Sequence, residues 1–254
     1  MISALIIARD EESNIGPCLD SLRGLADEAV VVVDSASSDR TEAIARERGA
    51  RVWVREWQGF SATKQWGLRQ AKGDWVLWLD ADERMTPELS SAIQEEIGKE
   101  VNFSALAFPR QAFFLGRWIR HCGWYPGYVT RFFRPDRARF DDKLVHEGLL
   151  IEGPVRRVAQ PILHYTDPDL ERYLSKFNRY TELAARQMHE AGRQFQLTDL
   201  LFRPPAFFLK MYIIKAGFLD GYQGFVLSAL SACYVAVKYL KLWERGLESE
   251  DDQD

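Results

Sequence analysis

Trp75-Val76-Leu77-Trp78-Leu79-Asp80-Ala81-Asp82-Glu83 is an apolar run of strand length that ends abruptly in acid. Strand side chains alternate faces, so Asp80 and Asp82 would share a face if the strand continued. At a strand end they converge on the edge where open α/β sheets bind ligands. Paired hard oxygens there suit Mg²⁺ or Mn²⁺, which bind through one or two carboxylates together with substrate phosphates. The bland alternative is a strand closed by solvated acids that serve the next helix. That helix has its own start signal, with Thr86 as N-cap, Pro87 at the first helical position and Glu88 in the first turn.

Outward from this stretch, the first hundred residues alternate strand and helix. Ile2 to Ala8, Ala29 to Val33 and Arg51 to Val54 read as strands, and segments near Ser13–Arg23, Asp39–Arg48 and Ser61–Ala71 as helices. The alternation predicts an α/β domain with right-handed crossovers and a mostly parallel central sheet. Acids recur at the strand ends: Asp10-Glu11-Glu12 after the first, Asp34 to Asp39 after the second, Asp80-Ala81-Asp82 after the fourth. In a doubly wound sheet those loops share one edge, whatever their separation in sequence. Beyond Val101 the regularity fades into aromatic, Arg-rich and Gly-rich sequence, with strands expected at Ala105–Phe108, Tyr128–Arg134 and Pro161–His164. A long helix is expected over Asp169–Ala191.

The 254 residues allow one large domain, or a domain with an appendage. Net charge is -4, which disfavours nucleic acid as a partner of the whole molecule. Three widely spaced cysteines without Cys-x-x-Cys spacing fit free thiols in a reducing compartment. The N-terminus has no basic n-region and reads as the first strand rather than a signal peptide. Near the other end, Ala206–Ile214 and Phe225–Val237 are strongly apolar and flanked by Lys210, Lys215, Lys238 and Lys241. Neither reaches the ~20 uninterrupted apolar residues of a spanning helix. They fit helices lying at an anionic membrane surface, or a helical pair packed on the domain or on a second subunit. Residues 1–165 are expected to form the α/β domain, with a boundary between its regular part, 1–104, and its less regular part, 105–165. A helical region is expected over 166–245 and an acidic disordered tail over 246–254.

The motifs Ala8-Arg9-Asp10-Glu11-Glu12, Val33-Asp34 through Asp39-Arg40-Thr41 and Asp80-Ala81-Asp82-Glu83 resemble those of the inverting family 2 glycosyltransferases of GT-A fold. With Val145-His146-Glu147, Leu163-His164-Tyr165 and the Lys-flanked apolar C-terminus, the chain looks most like the bacterial enzymes of lipopolysaccharide-core assembly that add glucose to heptose. The resemblance implies that 1–165 is the catalytic domain, with 1–104 its nucleotide-sugar half and 105–165 its acceptor half. It implies a nucleotide-sugar donor, with UDP-glucose first among them, and a lipid-linked saccharide acceptor. It also implies a peripheral place on the cytoplasmic face of the inner membrane, or a cytoplasmic one. By the same resemblance Asp34 and Glu11 line the nucleoside pocket, Asp82 holds the metal, and Asp80 touches the ribose or a metal-bound water. Lys64 and Arg131 face donor phosphates, and His164 adds a metal ligand. The general base of inverting transfer is sought among Glu147, Asp142 and Asp141, with Glu147 favoured because His146 and Gly148 flank it.

Other readings stay open at this point. The acceptor is a polyprenyl phosphate or another glycolipid, or the chain is a non-catalytic, membrane-associated factor of envelope assembly. Against the last stand the intact acids at every expected loop. A sugar nucleotidyltransferase would want a Gly-rich, Arg-containing loop after the first strand, where Arg9-Asp10-Glu11-Glu12 stands.

Overall fold

The computed structural model describes residues 1–99, 101–141 and 148–251. Contacts divide the chain into two compact units, Met1–Gln111 with Gly127–His164, and Ala112–Pro126 with Tyr165–Asp254.

The first unit opens with β1 (Ile2–Ala8), α1 (Glu12–Asp20), β2 (Glu28–Asp34), α2 (Thr41–Glu47), β3 (Arg51–Arg55), α3 (Phe60–Leu68), β4 (Trp75–Asp80), β5 (Glu83–Arg84) and α4 (Pro87–Gly98). Every residue of β1 is buried, because helices cover both faces of the sheet. Alternation sorts its side chains. Ala4, Ile6 and Ala8 pack with Ile15 and Leu19 of α1 and with Leu89 and Ile93 of α4. Leu5 and Ile7 pack with Leu68 of α3. Gly67 lets α3 lie close on β1, since a Cβ there would stand 2.6 Å from Leu5 Cδ1. The Thr86 hydroxyl caps α4 by accepting from the Leu89 N–H at 3.1 Å, as the sequence predicts.

Three later strands complete this sheet: β6 (Ala105–Phe114), β8 (Gly127–Phe133) and β12 (Ile162–Asp167), with the two-residue β7 (Arg117–Trp118) paired on the far end of β6. The strand order is β3-β2-β1-β4-β8-β6-β12-β5, and β11 (Val155–Arg157) pairs with β6. The expectation of a mostly parallel sheet needs correction, because the sheet is mixed. β3, β2, β1 and β4 run parallel, but β8 enters antiparallel to β4, β6 antiparallel to β8, and β5 antiparallel to β12. Helical crossovers join the parallel strands, and no α-helix separates β6 from β8. A separate hairpin joins β9 (Ala138–Phe140) to β10 (Leu149–Ile151).

The second unit contains α5 (Leu170–Glu190), α6 (Leu197–Leu209) and α7 (Gly221–Asp251). The Asp169 carboxylate caps α5 by accepting from the Arg172 N–H at 2.8 Å. The count of uninterrupted apolar residues understated the C-terminus. Helix α7 absorbs Phe225–Val237 into 31 continuous residues, and the segment Gly217–Leu247 is long and apolar enough to cross a membrane by length and composition.

Candidate active site

The acids that the sequence placed at strand ends do lie on one sheet edge. In the β1 register Ala8 stands beside Val33 and Ile7 beside Asp80, so the loops that follow Ala8, Asp34 and Asp80 leave the sheet together. The first two loops are tied by a dense set of hydrogen bonds. The Asp39 carboxylate accepts from the Thr41 N–H at 2.9 Å, from the Thr41 hydroxyl at 2.5 Å and from the Glu12 N–H at 2.8 Å. Burial pushes its pKa up, but those donors outweigh burial and hold it below the usual carboxylate range. Asp10, at φ 53°, accepts from the Ser38 N–H at 2.8 Å, and its pKa is lowered chiefly by that bond. Asp34 is buried and accepts from Arg9 Nη1 at 3.2 Å and from the Ala36 N–H at 3.0 Å. Glu11 precedes α1 and accepts from Asn14 Nδ2 at 2.7 Å, while Asn14 Oδ1 accepts from Arg84 at 3.1 Å. That chain of contacts links the first loop to the Asp-Ala-Asp-Glu turn.

The two carboxylates of the Asp-x-Asp pair have different partners. Asp80 alternates onto the face of Val76 and Trp78, which is the face covered by α3. Arg131 of β8 reaches the same place, its guanidinium carbon 4.0 Å from the Trp78 ring. Its Nη2 donates both to Asp80 and, at 2.7 Å, to Glu83. Lys64 of α3 is buried and brings its ammonium to 4.3 Å from the same ring. Burial alone would raise the Asp80 pKa, but the charges of Arg131, Lys64 and His164 outweigh it and hold the carboxylate at about 2. Glu83 is fully buried, and burial pushes its pKa up against the pull of Arg131. Its second oxygen accepts from the Asp80 N–H at 3.1 Å.

Asp82 faces His164 instead. The short ladder of β5 on β12 sets Glu83 opposite His164, and that places His164 Nε2 3.3 Å from Asp82 Oδ2. Both side chains are largely buried, and His164 Nδ1 has no hydrogen-bond partner among the described residues. Among the described residues no group of three or more His, Cys, Asp and Glu side chains gathers around one point. The set Asp80, Asp82 and His164 is therefore not assembled as three ligands, because Arg131 engages Asp80. A carboxylate and an imidazole nitrogen remain, which fit a divalent ion that takes its other ligands from a diphosphate and water.

Arg131, expected at donor phosphates, is buried beneath Asp80 and Glu83. Its Nε, the Trp78 Nε1 and the Ser61 hydroxyl are buried without hydrogen-bond partners among the described residues. Glu83 was missed as a site residue. Its adjacency to the Asp-x-Asp pair was the available signal, but nothing local showed that a distant strand would bury it. Of the candidate bases, Glu147 and Asp142 lie outside the described residues. The Asp141 carboxylate accepts from the Gly148 N–H at 2.8 Å at the base of the β9–β10 hairpin.

Arg131→Met should leave Glu83 buried without the guanidinium that pairs with it. Removing one partner of a buried ion pair typically costs ~3–5 kcal/mol. Urea denaturation should show a loss of that size, partly restored when Glu83→Gln is added. No change in the unfolding midpoint of Arg131→Met would refute the assigned role.

Known proteins resemble this chain in sequence and in fold. The profile of glycosyl transferase family 2 aligns with residues 3–148. The chain is 29% identical to the lipopolysaccharide core biosynthesis glycosyltransferase LpsC of Rhizobium meliloti, over 96% of this chain and 92% of that one. It is 27% identical to an uncharacterized glycosyltransferase of Rickettsia conorii, over 98% and 92%. The mannosyltransferase PcManGT of Pyrobaculum calidifontis, solved with GDP-Man and Mn²⁺, shares the fold at a TM-score of 0.54 and 14% identity, over 95% of this chain and 86% of that one. The chain belongs to glycosyl transferase family 2 and is a nucleotide-sugar-dependent glycosyltransferase.

Proposed function

We propose that this glycosyltransferase moves a hexose, glucose in the first place, from a UDP-sugar to a lipid-linked saccharide of the lipopolysaccharide-core type, with inversion at the anomeric carbon. The observation that carries the reading is the Asp82–His164 pair at 3.3 Å, on the sheet edge that also holds Asp34 and Asp80. Asp34 and Glu11 bind and orient the nucleoside. Asp82 and His164 hold Mg²⁺ or Mn²⁺, and Asp80, kept ionised by Arg131 and Lys64, faces the ribose or a metal-bound water. The metal, when bound, neutralises the leaving nucleoside diphosphate. Lys64 adds a positive charge in the same region. Glu147 takes the proton of the acceptor hydroxyl as that oxygen attacks.

The likeness to a relative named for lipopolysaccharide core biosynthesis supports the acceptor class. The apolar C-terminal helix supports a place at the cytoplasmic face of the inner membrane, where a lipid-anchored acceptor would be met. The test is a donor screen on the full chain with UDP-, GDP- and dTDP-sugars. We expect nucleoside diphosphate release from UDP-glucose that stops with chelator and returns with Mn²⁺ or Mg²⁺. Equal release under chelation would overturn the metal assignment, and preference for GDP- or dTDP-sugars would overturn the donor.

A further inference from the structure

The second unit carries an exposed apolar surface formed by none of the residues of the candidate active site. Between α6 and α7 the chain turns sharply, with Ala216 at φ 52° and Gly221 at φ 65°. The segment from Ile213 to Tyr222 presents its apolar residues outward. Ile214 and Tyr222 are 74% and 89% exposed, and Ile213, Phe218 and Leu219 are about half exposed. Large exposed apolar patches of this kind mark protein or membrane contacts.

The charges around this turn select between those two. Across residues 112–126 and 200–242 the sequence contains a single acid, Asp220. That acid is buried and fully engaged. It accepts from the backbone N–H groups of Arg120 at 3.2 Å and His121 at 2.7 Å, and lies 3.0 Å from His121 Nδ1. It therefore fastens the loop 120–121 beside the turn and shows no negative charge to solvent. Lys215 joins the same assembly, as its carbonyl accepts from the Cys122 N–H at 3.1 Å. Arg117 packs beside Gly221. Lys210, Lys215, Arg117 and Arg120 are all exposed around the apolar turn. In a chain of net charge -4, these four exposed cations around an apolar tip are complementary to an anionic bilayer surface.

We infer that the Ile213–Tyr222 turn is a wedge that inserts into the headgroup region of an anionic phospholipid bilayer, with Arg117, Arg120, Lys210 and Lys215 on lipid phosphates. The protein is anchored on the membrane there and does not cross it. The far half of α7 is tied to α5 by polar contacts. Lys241 Nζ donates to Asn178 Oδ1 at 2.8 Å and pairs with Glu182 at 3.3 Å, Arg245 also binds Glu182, and the Tyr234 hydroxyl donates to the Tyr180 carbonyl at 3.1 Å. Helix α5 exposes Arg172, Lys176, Arg186 and Glu190. A helix fastened to such a water-facing partner does not enter hydrocarbon.

The anchoring rests on the proposed lipid-linked acceptor for its purpose but not for its measurement. Full-length protein is sedimented with phosphatidylglycerol-containing vesicles and with pure phosphatidylcholine vesicles. Binding to the first is expected to fall at least about tenfold in Ile214→Glu/Phe218→Glu, and about tenfold in Arg120→Glu/Lys215→Glu. Both variants should retain turnover of donor with a soluble acceptor fragment. Undiminished binding of both variants overturns the wedge. So does a wild-type chain that ignores anionic vesicles and forms a dimer split by Ile214→Glu/Phe218→Glu, which would make the turn an interface between copies. Loss of donor turnover in the wild type, with wedge-dependent vesicle binding intact, would overturn the proposed reaction and leave the anchor standing.

Discussion

Asp82→Ala is expected to lower metal-dependent donor turnover about a thousandfold while leaving the protein folded. A metal at a leaving diphosphate contributes several kcal/mol of transition-state stabilisation, and each ~1.36 kcal/mol is a decade in rate. Asp82 meets His164, so its loss breaks neither a helix cap nor the Arg131–Glu83 pair. Thermal unfolding without ligand should be nearly unchanged, whereas the stabilisation conferred by Mn²⁺ with UDP should vanish. Asp80→Asn should behave differently, since it disturbs Arg131 and lowers ligand-free stability as well. Full turnover of Asp82→Ala after chelation and metal replenishment would sink the assignment.

Glu147→Gln should bind donor and metal almost as the wild type does, yet lose transfer by ~10²–10⁴-fold, the usual size of a general-base contribution. The readout is single-turnover transfer set against the Mn²⁺–UDP thermal shift. The competing acids separate cleanly. Asp142→Asn inactive beside an active Glu147→Gln would move the role to Asp142. Asp141→Asn weakens the bond to the Gly148 N–H at the hairpin base, so its effect should include a loss of stability that Glu147→Gln does not show.

Much of the first unit was legible because its strands are buried on both faces. β1, β2 and β4 read as unbroken apolar runs, and the acids after them stood out against that background. Asp34, Asp82 and His164 were reachable by the same reasoning or by family resemblance. The antiparallel half was harder. β5 is two residues long, and only its pairing with β12, some eighty residues later, turns Glu83 from an apparent surface acid into a buried one. The bonds of Arg131 to Asp80 and Glu83 went unforeseen for a related reason. The position of Arg131 under Asp80 follows from β8 entering beside β4, which no local pattern announces. The C-terminal helix was understated because counting uninterrupted apolar residues ignores how far the flanking residues extend it.

The interleaving of the two units bears on how such a chain can be recombined. Ala112–Pro126 groups with Tyr165–Asp254, so the second unit is encoded in two separated stretches. A chimera joined at one junction near residue 165 would graft a foreign C-terminus onto a native excursion at 112–126. The backbone N–H groups of Arg120 and His121 would then lose the Asp220 carboxylate that accepts from them. Exchange of the second unit between relatives by gene fusion thus calls for two crossovers inherited together. A lineage should pass on its C-terminal helices and its 112–126 segment as one unit of descent.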